Sequence, residues 1–187
     1  MTILYVLLTL AFIAFIVEEF VLIKPVSTIA KSDPLSRRLE LAALWVPAIG
    51  LGLTGGTAYF FGGVRVDGLV NAVGLALCVV GLSIRYWSRR TLGRFFTIGV
   101  VAQEGHRVVQ SGPYKHVRHP GYLGFLLFFL GLPLMIGSWF GLFVLTLPTS
   151  VVYVWLITIE DAELATMLGR EYQDYQKRSA RLIPGIW

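Results

Sequence analysis

The chain has 187 residues, of which 56% are hydrophobic and only 14% charged, against about 25% charged residues in a soluble domain. A soluble core would be broken by polar positions every few residues. Here apolar stretches run for roughly 20 residues, about the length of helix that crosses a bilayer. An ordinary soluble domain is therefore excluded. The net charge of +5 is read as lysine and arginine facing anionic lipid headgroups, and no nucleic-acid partner is expected.

Five spans are predicted in chain order: about Thr2 to Ile23, Leu41 to Phe61, Gly68 to Trp87, Gly121 to Ile136 and Trp139 to Ile159. The first lacks a basic leading region, and Glu18-Glu19 stands where small cleavage-site residues would be, so it is read as a retained span. In the second, Gly50, Gly52 and Gly55 match a dinucleotide-binding spacing, but no strand precedes them. They are read as packing glycines, with Gly52 and Gly56 as a small-xxx-small pair. The lone Cys78 in the third span forms no internal disulfide or CxxC pair and is read as a packing residue. Only Gly137-Ser138 separates the last two spans, which predicts a tight antiparallel hairpin. After it, one helix is expected to continue from Glu160 to about Ser179, acidic early and basic late as the helix dipole favours.

The fold expected is an all-α integral membrane protein of about five transmembrane helices. A three-span region covers residues 1–88. A core over residues 89–187 carries the hairpin and a cytoplasmic C-terminal cofactor-binding region. Of sixteen Lys and Arg, all but Arg65 fall on alternate loops, the distribution of cytoplasmic segments. The N-terminus is then outside, and the C-terminus and the site are cytoplasmic.

The segment from Gly105 to Gly124 is dense in polar residues where it meets the fourth span, an expensive placement unless it binds something. Pro120 suits the first turn of a helix, where a missing N–H costs nothing, and the positive end of that helix can hold a carboxylate. The hairpin brings Glu160-Asp161 back beside Arg118-His119-Pro120. The two groups together suit a ligand bearing both an ammonium and a carboxylate, such as the amino-acid part of S-adenosylmethionine. Its sulfonium would lie against Tyr114 or Tyr122. No metal is expected: His106, His116 and His119 have no Cys, Asp or Glu interleaved.

These residues resemble the isoprenylcysteine carboxyl methyltransferase family and its phospholipid methyltransferase relatives. The resemblance runs through Leu92-Gly93, Gly105-His106, Val108-Val109, Gly112-Pro113-Tyr114 and Arg118-His119-Pro120-x-Tyr122-x-Gly124. It continues through Glu160-Asp161-x-x-Leu164, Gly169-x-Glu171-Tyr172-x-x-Tyr175 and Arg181-x-x-Pro184. It implies an S-adenosylmethionine-dependent methyltransferase whose cofactor pocket is lined by His106, Arg107, Val108, Val109, Tyr114, His119, Pro120, Gly121, Tyr122, Glu160 and Asp161. Arg118, His119 and Glu160 are the candidate catalytic residues. The acceptor would be a lipophilic small molecule or lipidated substrate bearing a carboxylate, thiol or lipid amine, and membrane lipids would be the other partner.

Members acting on prenylcysteine carry an Arg four residues before the cofactor-binding Glu, and this chain has Leu156 there. A carboxylate acceptor at that depth would need another cation, Arg85 or Arg90. Methyl transfer to a carboxylate or thiolate needs alignment more than a base. An amine or neutral thiol must lose a proton, with His119 or Glu160 as the candidate base.

Two other classes compete. Membrane sterol reductases also carry an Arg-His-x-x-Tyr run and bind NADPH, but Gly112-Pro113-Tyr114, Gly124 and the acidic pair favour the methyltransferase, because a dinucleotide phosphate prefers basic partners. A non-catalytic membrane scaffold would bind neither cofactor. The orientation predicts that single cysteines placed at Gly63 and Ser138 react with an impermeant thiol reagent added outside intact cells, while one at Ser111 does not. Labelling at Ser111 would reverse the topology.

Overall fold

The computed structural model describes residues 34–60, 68–97 and 105–187. The first expected span, Thr2 to Ile23, and Arg65 lie outside the described residues. Five helices follow: α1 (Pro34–Phe60), α2 (Gly68–Leu92), α3 (Pro120–Ile136), α4 (Trp139–Leu168) and α5 (Arg170–Arg178). Short 3-10 turns occupy Gly93–Phe95 and Gly112–Lys115. Three stretches among the described residues are long and apolar enough to cross a membrane: Arg38–Gly56, Gly68–Phe95 and Trp139–Leu168. α3 is also apolar, but its 17 residues reach only about 25 Å, short of a hydrocarbon core of roughly 30 Å.

α2 and α3 run antiparallel with their backbones touching. A Cβ added to Gly81 would lie 2.5 Å from the Gly124 carbonyl oxygen, and one on Gly131 would lie 2.5 Å from that of Gly74. Lipid offers no hydrophobic drive between helices, so close backbone approach through small residues is what holds such a pair. Asn71 fastens one end, donating to the carbonyls of Leu134 (3.3 Å) and Met135 (2.9 Å). At the other end Arg85 Nη1 donates to the Gly121 carbonyl at 3.4 Å. Phe128, Leu132 and Met135 fill the space between, with Cys78 buried against them.

Among the described residues, a Cβ added to Gly52 or Gly56 meets nothing within 4 Å, so the close packing expected there is not made with α2, α3 or α4. Only Gly50 of that run is pressed, its added Cβ falling 2.6 Å from the Val144 carbonyl oxygen. Gly52 lies two residues on, roughly 200° around the helix, and so faces away from α4. The contact also has a cause in α4. Pro148 has no N–H to offer the carbonyl four residues back, that of Val144. The helix loosens into a π-type stretch at Leu142–Thr146, and Gly50 fits against the Val144 carbonyl within it.

The hairpin between α3 and α4 forms as expected. Gly137 takes φ +72°, a left-handed conformation that only glycine adopts cheaply. The Ser138 hydroxyl caps α4 by accepting from the Gly141 N–H at 3.1 Å. The single helix expected from Glu160 to Ser179 is two helices instead. Gly169, at φ +63° and ψ −140°, ends α4 and turns the chain into α5.

Gly124→Ala and Gly131→Ala should each destabilise the protein, because overpacking costs about 1–3 kcal/mol. Gly52→Ala should leave stability unchanged or slightly raised. Thermal unfolding of the three variants in detergent would separate these outcomes.

Candidate functional site

A cavity of about 320 Å³ opens where α3 begins. One side is a stripe of α4 at helical spacing: Tyr153, Leu156, Glu160, Leu164 and Leu168. Arg85, Phe95 and Phe96 close it from the end of α2, and His106 to Val109 cross it. Tyr114 and Tyr122 complete the polar end. The Tyr122 hydroxyl donates to Glu160 Oε2 at 2.6 Å, fixing that carboxylate on the cavity wall. The rings of Tyr122, Phe125 and Tyr153 meet edge to face at 5.4 and 5.5 Å. The Arg85 guanidinium lies on the Phe125 ring, 3.4 Å from its centre.

Asp161 faces the other way. Neighbours on a helix project about 100° apart, so when Glu160 looks into the cavity, Asp161 looks behind it, where it is 2% exposed. Its carboxylate accepts from Arg118 Nη2 (3.0 Å), Tyr172 OH (2.7 Å) and Arg181 Nε (3.0 Å), and His119 Nε2 lies 2.9 Å away. Arg118 reaches on to the backbone carbonyls of Gln176 (3.0 Å) and Ser179.

The tail after α5 is strapped to the same place. The Arg118 N–H donates to the Ala180 carbonyl (2.8 Å), that of His119 to Arg181 (3.0 Å) and that of Ala180 to His116 (3.0 Å), forming a parallel bridge between Val117 and Ala180. The Tyr175 hydroxyl donates to the Tyr114 carbonyl at 2.5 Å. Burial pushes the Tyr175 phenol up to about 12. Burial, and then the nearby carboxylates, raise Tyr114 and Tyr172 further. All three phenols keep their protons at neutral pH.

The structure thus gathers Arg85, His106, Arg107, Val108, Val109, Tyr114, Arg118, His119, Gly121, Tyr122, Leu156 and Glu160 around one cavity. It does not bring Asp161, Pro120 or Arg90 to that surface. Pro120 is buried in the first turn of α3. Arg90 is five residues, about 140° around the helix, from Arg85, and is exposed against the Tyr86 hydroxyl at 3.1 Å. The wall from α1, made of Glu40, Leu41, Ala43 and Leu44, was not anticipated, and no motif in α1 signals it. Tyr153 and Leu164 were missed too, although counting turns along α4 from Glu160 finds both.

The sequence matches the phospholipid methyltransferase family over residues 69–171, and the chain belongs to that family. It is 32% identical over 119 residues to a probable protein-S-isoprenylcysteine O-methyltransferase of Oryza sativa subsp. indica, covering 63% of this chain and 62% of that one. Protein-S-isoprenylcysteine O-methyltransferase B of Arabidopsis thaliana is 28% identical over 129 residues, covering 68% and 66%. The fold resembles that of a eukaryotic intramembrane Ras methyltransferase, an isoprenylcysteine carboxyl methyltransferase, with a TM-score of 0.65 at 24% identity over 97% of this chain and 63% of that one. The resemblance read from the sequence therefore holds, and the chain spans just under two thirds of the length of these relatives.

Asp161→Ala should cost about 3–5 kcal/mol, because it leaves the part-buried Arg118 without its carboxylate. Asp174→Ala, which removes an exposed pair with Lys177, should not change the melting temperature. Equal melting temperatures for the two variants would show that the buried network is not structural.

Proposed function

We propose that this chain is a membrane methyltransferase that moves a methyl group from S-adenosylmethionine to a lipophilic acceptor. The observation that carries the reading is Glu160, a carboxylate held by Tyr122 on the wall of a cavity rich in aromatic rings. The donor set suits the amino-acid part of S-adenosylmethionine. Glu160 accepts hydrogen bonds from an ammonium, the tyrosine faces meet a sulfonium, and the basic edge of Arg107 and the start of α3 meets a carboxylate. The volume is that of a small-molecule site. Relatives named as methyltransferases support the same reading.

When bound, the cofactor supplies a methyl group on a positively charged sulfur. The protein's part is to align and to exclude water. Tyr122 fixes Glu160. Asp161 orients His119 and Arg118 from behind, so Arg118 positions rather than reacts. Phe125, Tyr153 and Leu156 line the deep end with apolar surface, where an acceptor's hydrocarbon would lie. Arg85 is the basic group at that end. Such positioning is worth about 7–11 kcal/mol of a barrier. In this reading the chain crosses the membrane five times with its N-terminus outside, the bilayer thinning locally around the short α3, and the cavity opens at the cytoplasmic surface.

Calorimetric titration tests the reading. S-adenosylhomocysteine should bind the purified protein, and NADPH should not. Glu160→Ala should weaken that binding by about 1.5–3 kcal/mol, the worth of a charged hydrogen bond, with Tyr122→Ala and His119→Ala also weaker. Undiminished affinity in the Glu160 variant would sink the proposed pocket.

A further inference from the structure

α1 lies outside residues 69–171, the stretch that matches the family, yet it builds a wall of the cavity. Its register against α4 is antiparallel: Thr54 sits against Gly141, and Gly50 against Val144 and Leu145. Further along the same register the Tyr153 hydroxyl donates to the Ala43 carbonyl at 3.2 Å. Ala43 stands four residues before Pro47, which lies inside α1 and has no N–H to return to that carbonyl. A hydroxyl from α4 supplies a donor there. Both partners of this contact are buried.

The anchored Tyr153 ring is one of two that bear on Tyr122. It meets the Tyr122 ring edge to face at 5.4 Å, and the His119 ring stacks on Tyr122 at 5.7 Å with 23° between the planes. His119 is itself held, its Nε2 lying 2.9 Å from Asp161. Each neighbouring ring is thus tied by a hydrogen bond, one to α1 and one to the network behind the cavity. The Tyr122 hydroxyl in turn reaches Glu160 at 2.6 Å.

We propose that Tyr153 is a positioning residue: tied to α1 through the Ala43 carbonyl, it holds the Tyr122 ring so that the Tyr122 hydroxyl sets Glu160 toward the ammonium of the methyl donor. The proposal rests on the methyl-transfer reading above. A glutamate side chain gives up rotamer freedom when it takes a ligand, and one that is held beforehand gives up less. Tyr122 holds Glu160 beforehand, and it does so while its own ring is fixed. α1 therefore enters donor binding through a main-chain carbonyl, which asks nothing of the Ala43 side chain except that it be small. This is why no side-chain motif in α1 announces the role.

The test is calorimetric titration of the full chain in nanodiscs, as wild type, Tyr153→Phe, Glu160→Gln and the two substitutions combined. Tyr153→Phe removes one oxygen atom and keeps the ring. It should weaken S-adenosylhomocysteine binding about three- to tenfold, the scale of one neutral hydrogen bond. In the Glu160→Gln background the same change should cost less than about twofold, because residues that act through one another are not additive. Methylthioadenosine, which lacks the amino-acid part, gives a measurement that needs no second substitution. Its affinity for Tyr153→Phe should stay within about twofold of wild type, well under the scale of a lost hydrogen bond, which also shows that the variant folds. Unchanged S-adenosylhomocysteine affinity in Tyr153→Phe, an equal loss for both ligands, or an equal loss with and without the Glu160 carboxylate would overturn the proposal. A wild type that binds no S-adenosylhomocysteine would defeat the methyl-transfer reading itself.

Discussion

The Asp161 carboxylate is withdrawn from water, and a buried carboxylate must be met by donors or be neutralised. Here it is met from three separate parts of the chain: Arg118 and His119 before α3, Tyr172 on α5, and Arg181 in the tail. One carboxylate thereby ties the start of α3, α5 and the tail to the same point on α4. The consequence for the cavity is indirect but strong. Tyr172 and Tyr175, which line its floor, and Arg118 and His119, which line its wall, are each held by the same carboxylate or by the strap beside it. The site's rigidity is built behind the surface that a ligand would touch.

The membrane helices contribute the other half of the geometry. Because Gly74, Gly81, Gly124 and Gly131 let α2 and α3 approach to backbone contact, Arg85 is drawn against Gly121 and Phe125 at the cavity's inner wall. α4 packs on α1 rather than lying flat along α3, and this opens the wedge between the two pairs. The cavity is the space left when one pair of helices is pulled unusually close and the other is not.

Much of this was legible from the residues. The apolar runs, the Gly137-Ser138 hairpin and the return of Glu160-Asp161 beside Arg118-His119 follow from length, turn chemistry and chain reversal. The division of labour inside Glu160-Asp161 was harder to see, because adjacency in sequence suggests a shared task while a helix separates neighbours by about 100°. Among the described residues the packing glycines stand elsewhere than Gly52 and Gly56. Gly52-xxx-Gly56 looks like a packing motif, but the operative pairs stand seven apart, at Gly74 and Gly81 and at Gly124 and Gly131, two turns along one face. The α1 wall left no trace at all. Glu40, Leu41 and Leu44 are ordinary residues near a helix start, and only the register against α4, set by Gly50 and Tyr153 far along each chain segment, shows where they point.

The strap between Val117 and Ala180 also bears on how the protein is made. A chain emerging from the ribosome presents α1 to α4 before residues 170–181 emerge. Until those residues emerge, the Asp161 carboxylate lacks two of its donors, Tyr172 and Arg181, and the N–H groups of Arg118 and His119 lack their acceptors at Ala180 and Arg181. Helices α1 to α4 can therefore be in place while the cavity still lacks a floor. Assembly then proceeds in two stages, and a nascent or prematurely terminated chain that stops near Gly169 would occupy the bilayer without a finished pocket.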